Sequence, residues 1–105
     1  MTTKTEDQII EKQIADLTYS AEKEGVPDHT INPLVMYIVY RIPPGGFLRA
    51  VLENDLMEAF GRADQTNALC MKNIVSFIYN YAPMQCHGSN PKVQAWINEA
   101  SEVIS

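Results

Sequence analysis

The sequence predicts an all-α fold: one small five-helix domain built around a central antiparallel helix hairpin. Three observations carry that expectation. Apolar residues recur at three- and four-residue spacing along most of the chain. The recurrences are bounded by capping residues, prolines and glycines. Only one short run, Leu34 to Tyr40, has the β-branched and aromatic content of a strand, and no second segment reads as its partner.

In chain order, residues 1–4 are polar and read as a disordered N-terminus. Thr5-Glu6-Asp7-Gln8 matches a capping box and opens a peripheral amphipathic helix over residues 5–24. Its stripe is Ile10, Ile14, Leu17 and Ala21, with Glu11, Lys12, Asp16 and Lys23 on the other side; Gly25 stops it. Asn32-Pro33 then reads as an N-cap with proline at the first helical position, starting a short buried helix to Arg41. The alternative for residues 34–41 is a strand that pairs between two chains. Residues 33–104 form the core of the single domain, residues 1–105.

Pro43-Pro44-Gly45-Gly46 interrupts everything helical: the prolines fix φ and push their predecessors out of the α region, and the glycines admit positive φ. A helix is expected from Phe47 to Phe60, with Leu48, Val51, Leu52, Leu56, Ala59 and Phe60 on one face. Gly61 is expected as its left-handed stop and Asp64 as the next N-cap. The second arm runs to Tyr81, with Met71, Ile74, Val75, Phe77, Ile78 and Tyr81 over half its circumference, which reads as a helix with neighbours on several sides. Ala82-Pro83 ends it. Ser89-Asn90-Pro91 starts a last helix faced by Val93, Trp96, Ile97, Ala100, Val103 and Ile104. Tyr37, Tyr40, Tyr79, Tyr81 and Trp96 read mostly as core, with some at an interface.

Charge and composition bound the function. With 105 residues, 46% apolar and 20% charged, the chain is an ordinary single globular domain. Thirteen acidic against eight basic residues give net −5, which argues against a nucleic-acid partner. No apolar run approaches a membrane span. Two cysteines are no disulfide framework, and without a signal peptide the expected location is the cytoplasm.

Asp55 falls between Leu48, Leu52 and Ala59 on the helical wheel, near the middle of the apolar arc. A buried carboxylate must find donors. The structural reading makes it an anchor; the functional one makes Asp55, Arg62 and Asn67 line a pocket. The Gly45-Gly46 turn at a helix N-terminus, with Arg41 nearby, is a weak anion or nucleotide signal, because a phosphate-loop lysine is absent. The candidate ligand-binding set is therefore Arg41, Gly45, Gly46, Asp55, Arg62 and Asn67. Cys86-His87 is the only adjacent thiol and imidazole, and nothing marks the third group a nucleophile needs. His29, His87, Cys70 and Cys86 lack metal-site spacing, so neither metal nor cofactor is expected.

The stretch IPPGGFLRAVLENDLMEAFGRADQTN, followed by IVSFIYNYAP and GSNPKVQAW, resembles a family of short uncharacterised proteins carried by phages, prophages and bacteria. The pattern falls on Gly45 to Leu48, Val51 to Leu56, Arg62 to Asn67, Ile74 to Pro83 and Gly88 to Trp96, leaving the first helix outside. His87 stands where such sequences often look aromatic. The resemblance implies a mobile-element context without a mechanism. The leading expectation is a non-catalytic, self-associating protein that binds a host protein or complex, one used in defence among them. A binder that sequesters a nucleotide or other anion is second, and a cysteine enzyme using Cys86 is last.

Overall fold

The computed structural model describes residues 2–104, with side chains over residues 6–99. Every regular element among them is helical. They are α1 (Thr2–Glu24), α2 (Asp28–Tyr40), α3 (Gly46–Leu52), α4 (Leu56–Arg62), α5 (Gln65–Leu69), α6 (Met71–Tyr81) and α7 (Asn90–Ile104), with a 3-10 turn at Met84–Cys86. The fold is all-α, but each arm of the expected hairpin is two helices. The side chains of Thr5, Ala100, Val103 and Ile104, and all of Met1, lie outside the described residues.

α1 begins at Thr2, three residues before the expected capping box. It ends as the sequence requires: Gly25 takes φ +86, its N–H donates to the Glu22 carbonyl at 3.1 Å, and the Val26 N–H reaches the Ala21 carbonyl at 3.0 Å. That double bond is a Schellman motif, which only a residue tolerant of positive φ can close. α1 then lies across α2 and α6, burying Ala21 completely and Ile14 and Leu17 in part.

α2 starts at Asp28, not at Pro33, because the Pro27 carbonyl accepts from both the Thr30 and Ile31 N–H groups. Pro33 therefore sits inside a helix, at an exposed position where the carbonyl left without its N–H can be hydrated. Leu34, Val35, Tyr37 and Ile38 are all buried, so the run that looked strand-like is the central helix of the core. Burial on several sides outweighs a β propensity worth about 1 kcal/mol at most. Arg41 closes α2 in the left-handed region at φ 61, its N–H on the Tyr37 carbonyl.

The expected helix over residues 47–60 breaks at Glu53-Asn54-Asp55. Asn54 adopts φ 63, its N–H donates to Val51, and the Asp55 N–H donates to Ala50 at 2.9 Å, a second Schellman closure with asparagine in the glycine position. Asp55 then caps α4, accepting from the Glu58 N–H. α3 and α4 pack closely, meeting in a small satellite core of Ala50, Ala59 and Met71. Gly61 is not a left-handed stop; it lies within α4, which ends instead on an extended Ala63.

Asp64 does cap α5, accepting from the Asn67 N–H at 2.7 Å. Cys70, at φ −104 and ψ 18, separates α5 from α6. α6 buries Met71, Ile74, Phe77 and Ile78 but leaves Val75, Tyr79 and Tyr81 exposed, so it is covered on one side only. Tyr40 is exposed as well, and of the tyrosines expected in the core only Tyr37 is buried. Asn73 donates to the Glu24 carbonyl and ties α6 to the end of α1. The Tyr37 hydroxyl donates to the Cys86 carbonyl at 2.7 Å, the Trp96 Nε1 donates to the Tyr37 carbonyl, and the Gly88 N–H reaches Leu52. These bonds fix the 84–88 loop and α7 against α2 and α3.

Candidate functional site

Gly45, extended at φ −67 and ψ 171, is the N-cap of α3, and Gly46 is its first residue. Positive φ among the glycines is confined to Gly25 and Gly88, so neither Gly45 nor Gly46 uses the positive φ that glycine admits. A Cβ at Gly46 would stand 3.0 Å from Arg62 Nη1 and 3.2 Å from its Cδ, so this half-exposed arginine would have to shift by a few tenths of an ångström to admit a side chain. The corner lies between two clefts, and these divide five of the six candidate residues.

One cleft, of about 270 Å³, holds Gly46, Asp55 and Arg62 together with Arg49, Glu53 and Glu58. Its arginines are engaged: Arg62 Nε donates to Glu58 Oε1 at 2.6 Å, and Arg49 donates to Glu53 at 2.8 Å and to Gln94 at 2.7 Å. Three carboxylates against two guanidinium groups make it net negative, a poor environment for an anion. Asp55 is exposed, at the start of a helix, and the turn that breaks the 47–60 helix removes it from the apolar arc where the wheel put it.

The other cleft, of about 260 Å³, holds Gly45, Gly46 and Asn67 with His29, Thr30, Pro33, Phe47 and Leu48. Asn67 is only 6% exposed. Its Oδ1 accepts from the Thr30 hydroxyl at 2.6 Å, and its backbone N–H donates to Asp64. Asp64 also pairs with His29 Nε2 at 2.9 Å. The Asn67 N–H and then the imidazole hold the Asp64 carboxyl below its ordinary range. The result is a continuous network from α2 to α5 around the cleft.

Arg41 belongs to neither cleft. Its guanidinium stacks on Trp96, 3.5 Å from the ring centroid, and Nη1 donates to the Trp96 carbonyl and to Glu99. It fastens α7 to the end of α2. The anion site assembled from sequence neighbours is thus distributed over three places.

Cys86 and His87 are adjacent but differently placed. Cys86 is fully buried, and burial pushes its thiol up to about 11, so it is protonated at neutral pH. Burial, with Lys92 adding to it, holds the His87 imidazole below its ordinary value, and His87 Nε2 is buried without a hydrogen-bond partner.

An apolar groove runs between α3 and α6. At the end nearest Gly88 it is a hollow of about 280 Å³ walled by Val51, Leu52, Val75, Ile78, Tyr79 and His87. It continues past Val51, Asn54 and Val75 into a smaller hollow of about 50 Å³ beside Asp55, Leu56 and Met71. Tyr79 is 80% exposed, Leu56 65% and Val75 47%. Isolated exposed apolar residues are ordinary; three along one groove are a feature to explain.

Sequence reasoning missed His29, Thr30 and Tyr79 as site residues. His29 and Asp64 stand 35 positions apart, and no local pattern joins them. No family model, curated protein or solved structure matches the chain. Among the described residues, no helix is long and apolar enough to cross a membrane.

Proposed function

We propose that this chain is a non-catalytic interaction protein that pairs with a second copy of itself through the α3–α6 groove. The observation that carries the reading is the uncovered groove and its protruding Tyr79. A tyrosine side chain four-fifths exposed offers roughly 150 Å² to a partner, and its burial favours association by whatever exceeds the cost of ordering and docking the two copies.

The charges at the groove's ends favour a second copy as the occupant. Asp55 lies at the Met71 end of α6. At the Tyr79 end, Lys92 approaches Gly88, its Nζ 3.6 Å from where a Cβ would stand. Among the described residues Lys92 makes no ion pair. A two-fold axis across the middle of α6 sets the acid end of one copy against the basic end of the other, as an isologous contact demands. It also sets each Tyr79 towards the partner's groove. The resemblance to phage and prophage proteins supports a host protein as the target of that pair.

Light scattering and native mass spectrometry test the pairing. A dimer at micromolar concentration is expected, with Tyr79→Asp shifting it to monomer without loss of helix content. Asp55→Asn keeps a good N-cap while removing the charge, and it and Lys92→Gln should each weaken pairing, more so at low salt. A monomeric wild type, or a Tyr79→Asp protein that still dimerises, refutes this reading; capture of a different protein on the groove would assign it to a foreign partner instead.

A further inference from the structure

We propose that the cleft between α2 and the start of α3 binds a small, uncharged planar molecule carrying a carbonyl acceptor, of the lactam class to which uracil, thymine, cytosine and guanine belong. Three observations converge on it, none of which involves the groove. First, Asn67 is nine-tenths buried at the cleft wall, and its carboxamide oxygen is taken by the Thr30 hydroxyl. Its amide nitrogen has no protein partner among the described residues, yet it is not sealed from solvent. A buried carboxamide held by its oxygen presents its N–H donors in a fixed direction, which suits a carbonyl.

Second, the walls beside this donor are mainly apolar. Pro33 comes from α2, and Phe47 and Leu48 from the first turn of α3. A planar ring gains contact there without breaking any hydrogen bond of the protein. The volume, about 260 Å³, suits a single ring system better than a whole nucleotide.

Third, the electrostatics select against an anion. The imidazole of His29 is matched to the Asp64 carboxylate. The nearest guanidinium, Arg62, packs against Gly46 and is bonded to Glu58 in the neighbouring cleft. A phosphate or carboxylate entering the cleft would meet no free cation and would lie close to Asp64. The same arrangement is neutral towards an uncharged carbonyl, so Asn67 selects by hydrogen bonding and not by charge.

The test is a titration of the isotope-labelled full chain followed by NMR, with three probes. The first is 1,3-dimethyluracil, a planar ring with carbonyl acceptors and no N–H. Toluene has the ring without the acceptor, and inorganic phosphate has the charge without the ring. Saturable shifts are expected at the Asn67 side-chain NH₂ and at the Gly46 and Phe47 amides with 1,3-dimethyluracil alone. Asn67→Asp exchanges the donor for an acceptor at constant shape and should lose at least about tenfold in affinity. Thr30→Val frees the carboxamide to rotate and should weaken binding less. If Asn67→Asp fails to fold, the wild-type side-chain NH₂ signals still decide the matter. No saturable shift, equal binding of toluene, the same shifts produced by phosphate, or unaltered affinity in a folded Asn67→Asp protein would each overturn the proposal.

Discussion

Replacing Tyr37 by phenylalanine removes one oxygen atom and tests how the last third of the chain is held. Tyr37 is fully buried in α2, and its hydroxyl donates to the Cys86 carbonyl at 2.7 Å. No other donor reaches that carbonyl among the described residues. The phenyl ring keeps its packing, so the cost is that of an orphaned buried acceptor, about 1–3 kcal/mol. For a domain of this size each kcal/mol lowers Tm by about 4–8 °C, so the midpoint cost of about 2 kcal/mol corresponds to a fall of about 8–16 °C. Calorimetry and urea unfolding at matched protein concentration measure it, with Tyr40→Phe as the exposed control. The slope with urea should not change, because the same surface is exposed on unfolding. A Tyr37→Phe protein within about 2 °C of wild type would show that the hydroxyl bond contributes nothing, and that packing alone seats the 84–88 loop. The same site sets the alkaline limit. Burial raises both the Tyr37 phenol and the Cys86 thiol, the latter to about 11, so the folded state holds these protons more tightly. The contribution of these two groups should be flat below the unfolded thiol's ordinary value, about 8.5, and should fall above it. Tyr37→Phe should lose the part of that fall that begins near 10, the ordinary value for tyrosine.

Three further outcomes are expected. His87 is held neutral by burial, so its folded pKa lies below the unfolded value, and stability should decline as pH drops below about 6.5. His87→Phe removes the orphaned Nε2, should stabilise by about 1 kcal/mol and should flatten the pH 5–7 dependence in urea melts; an unchanged slope would assign it to another group. Gly25→Ala strains a left-handed residue and sets a Cβ 2.6 Å from Asn73 Nδ2, so a loss of about 2 kcal/mol is expected by urea unfolding; wild-type stability would show that this turn relaxes. At Asn54, φ 63 makes glycine neutral or better and valine costly by about 1–2 kcal/mol; equal melting temperatures for the two variants would contradict the turn described between α3 and α4.

The helix boundaries show where local chemistry is legible. Gly25, Asp64 and Ala82-Pro83 end or start helices as read, because each fixes its own backbone. The break at residues 53–55 was also written locally, as an asparagine able to take positive φ followed by a capping aspartate with Glu58 three residues on. The helical wheel concealed it, since apolar residues before and after the turn happen to keep helical phase. Gly61 misled in the opposite way, because a glycine is permitted within a helix whenever packing holds that helix together.

By itself the sequence determined an all-helical chain, its acidic balance and most of its caps and stops, since these depend on dihedral preference and on spacing within one turn. The tertiary structure decided the rest. It made Leu34 to Tyr40 a central helix by surrounding it, left one side of α6 uncovered, and sent Arg41 to Trp96 instead of to the glycine corner. It also joined Thr30 and His29 to Asn67 and Asp64 across more than thirty residues. Such pairings follow from how helices stack, and a linear pattern carries no term for that.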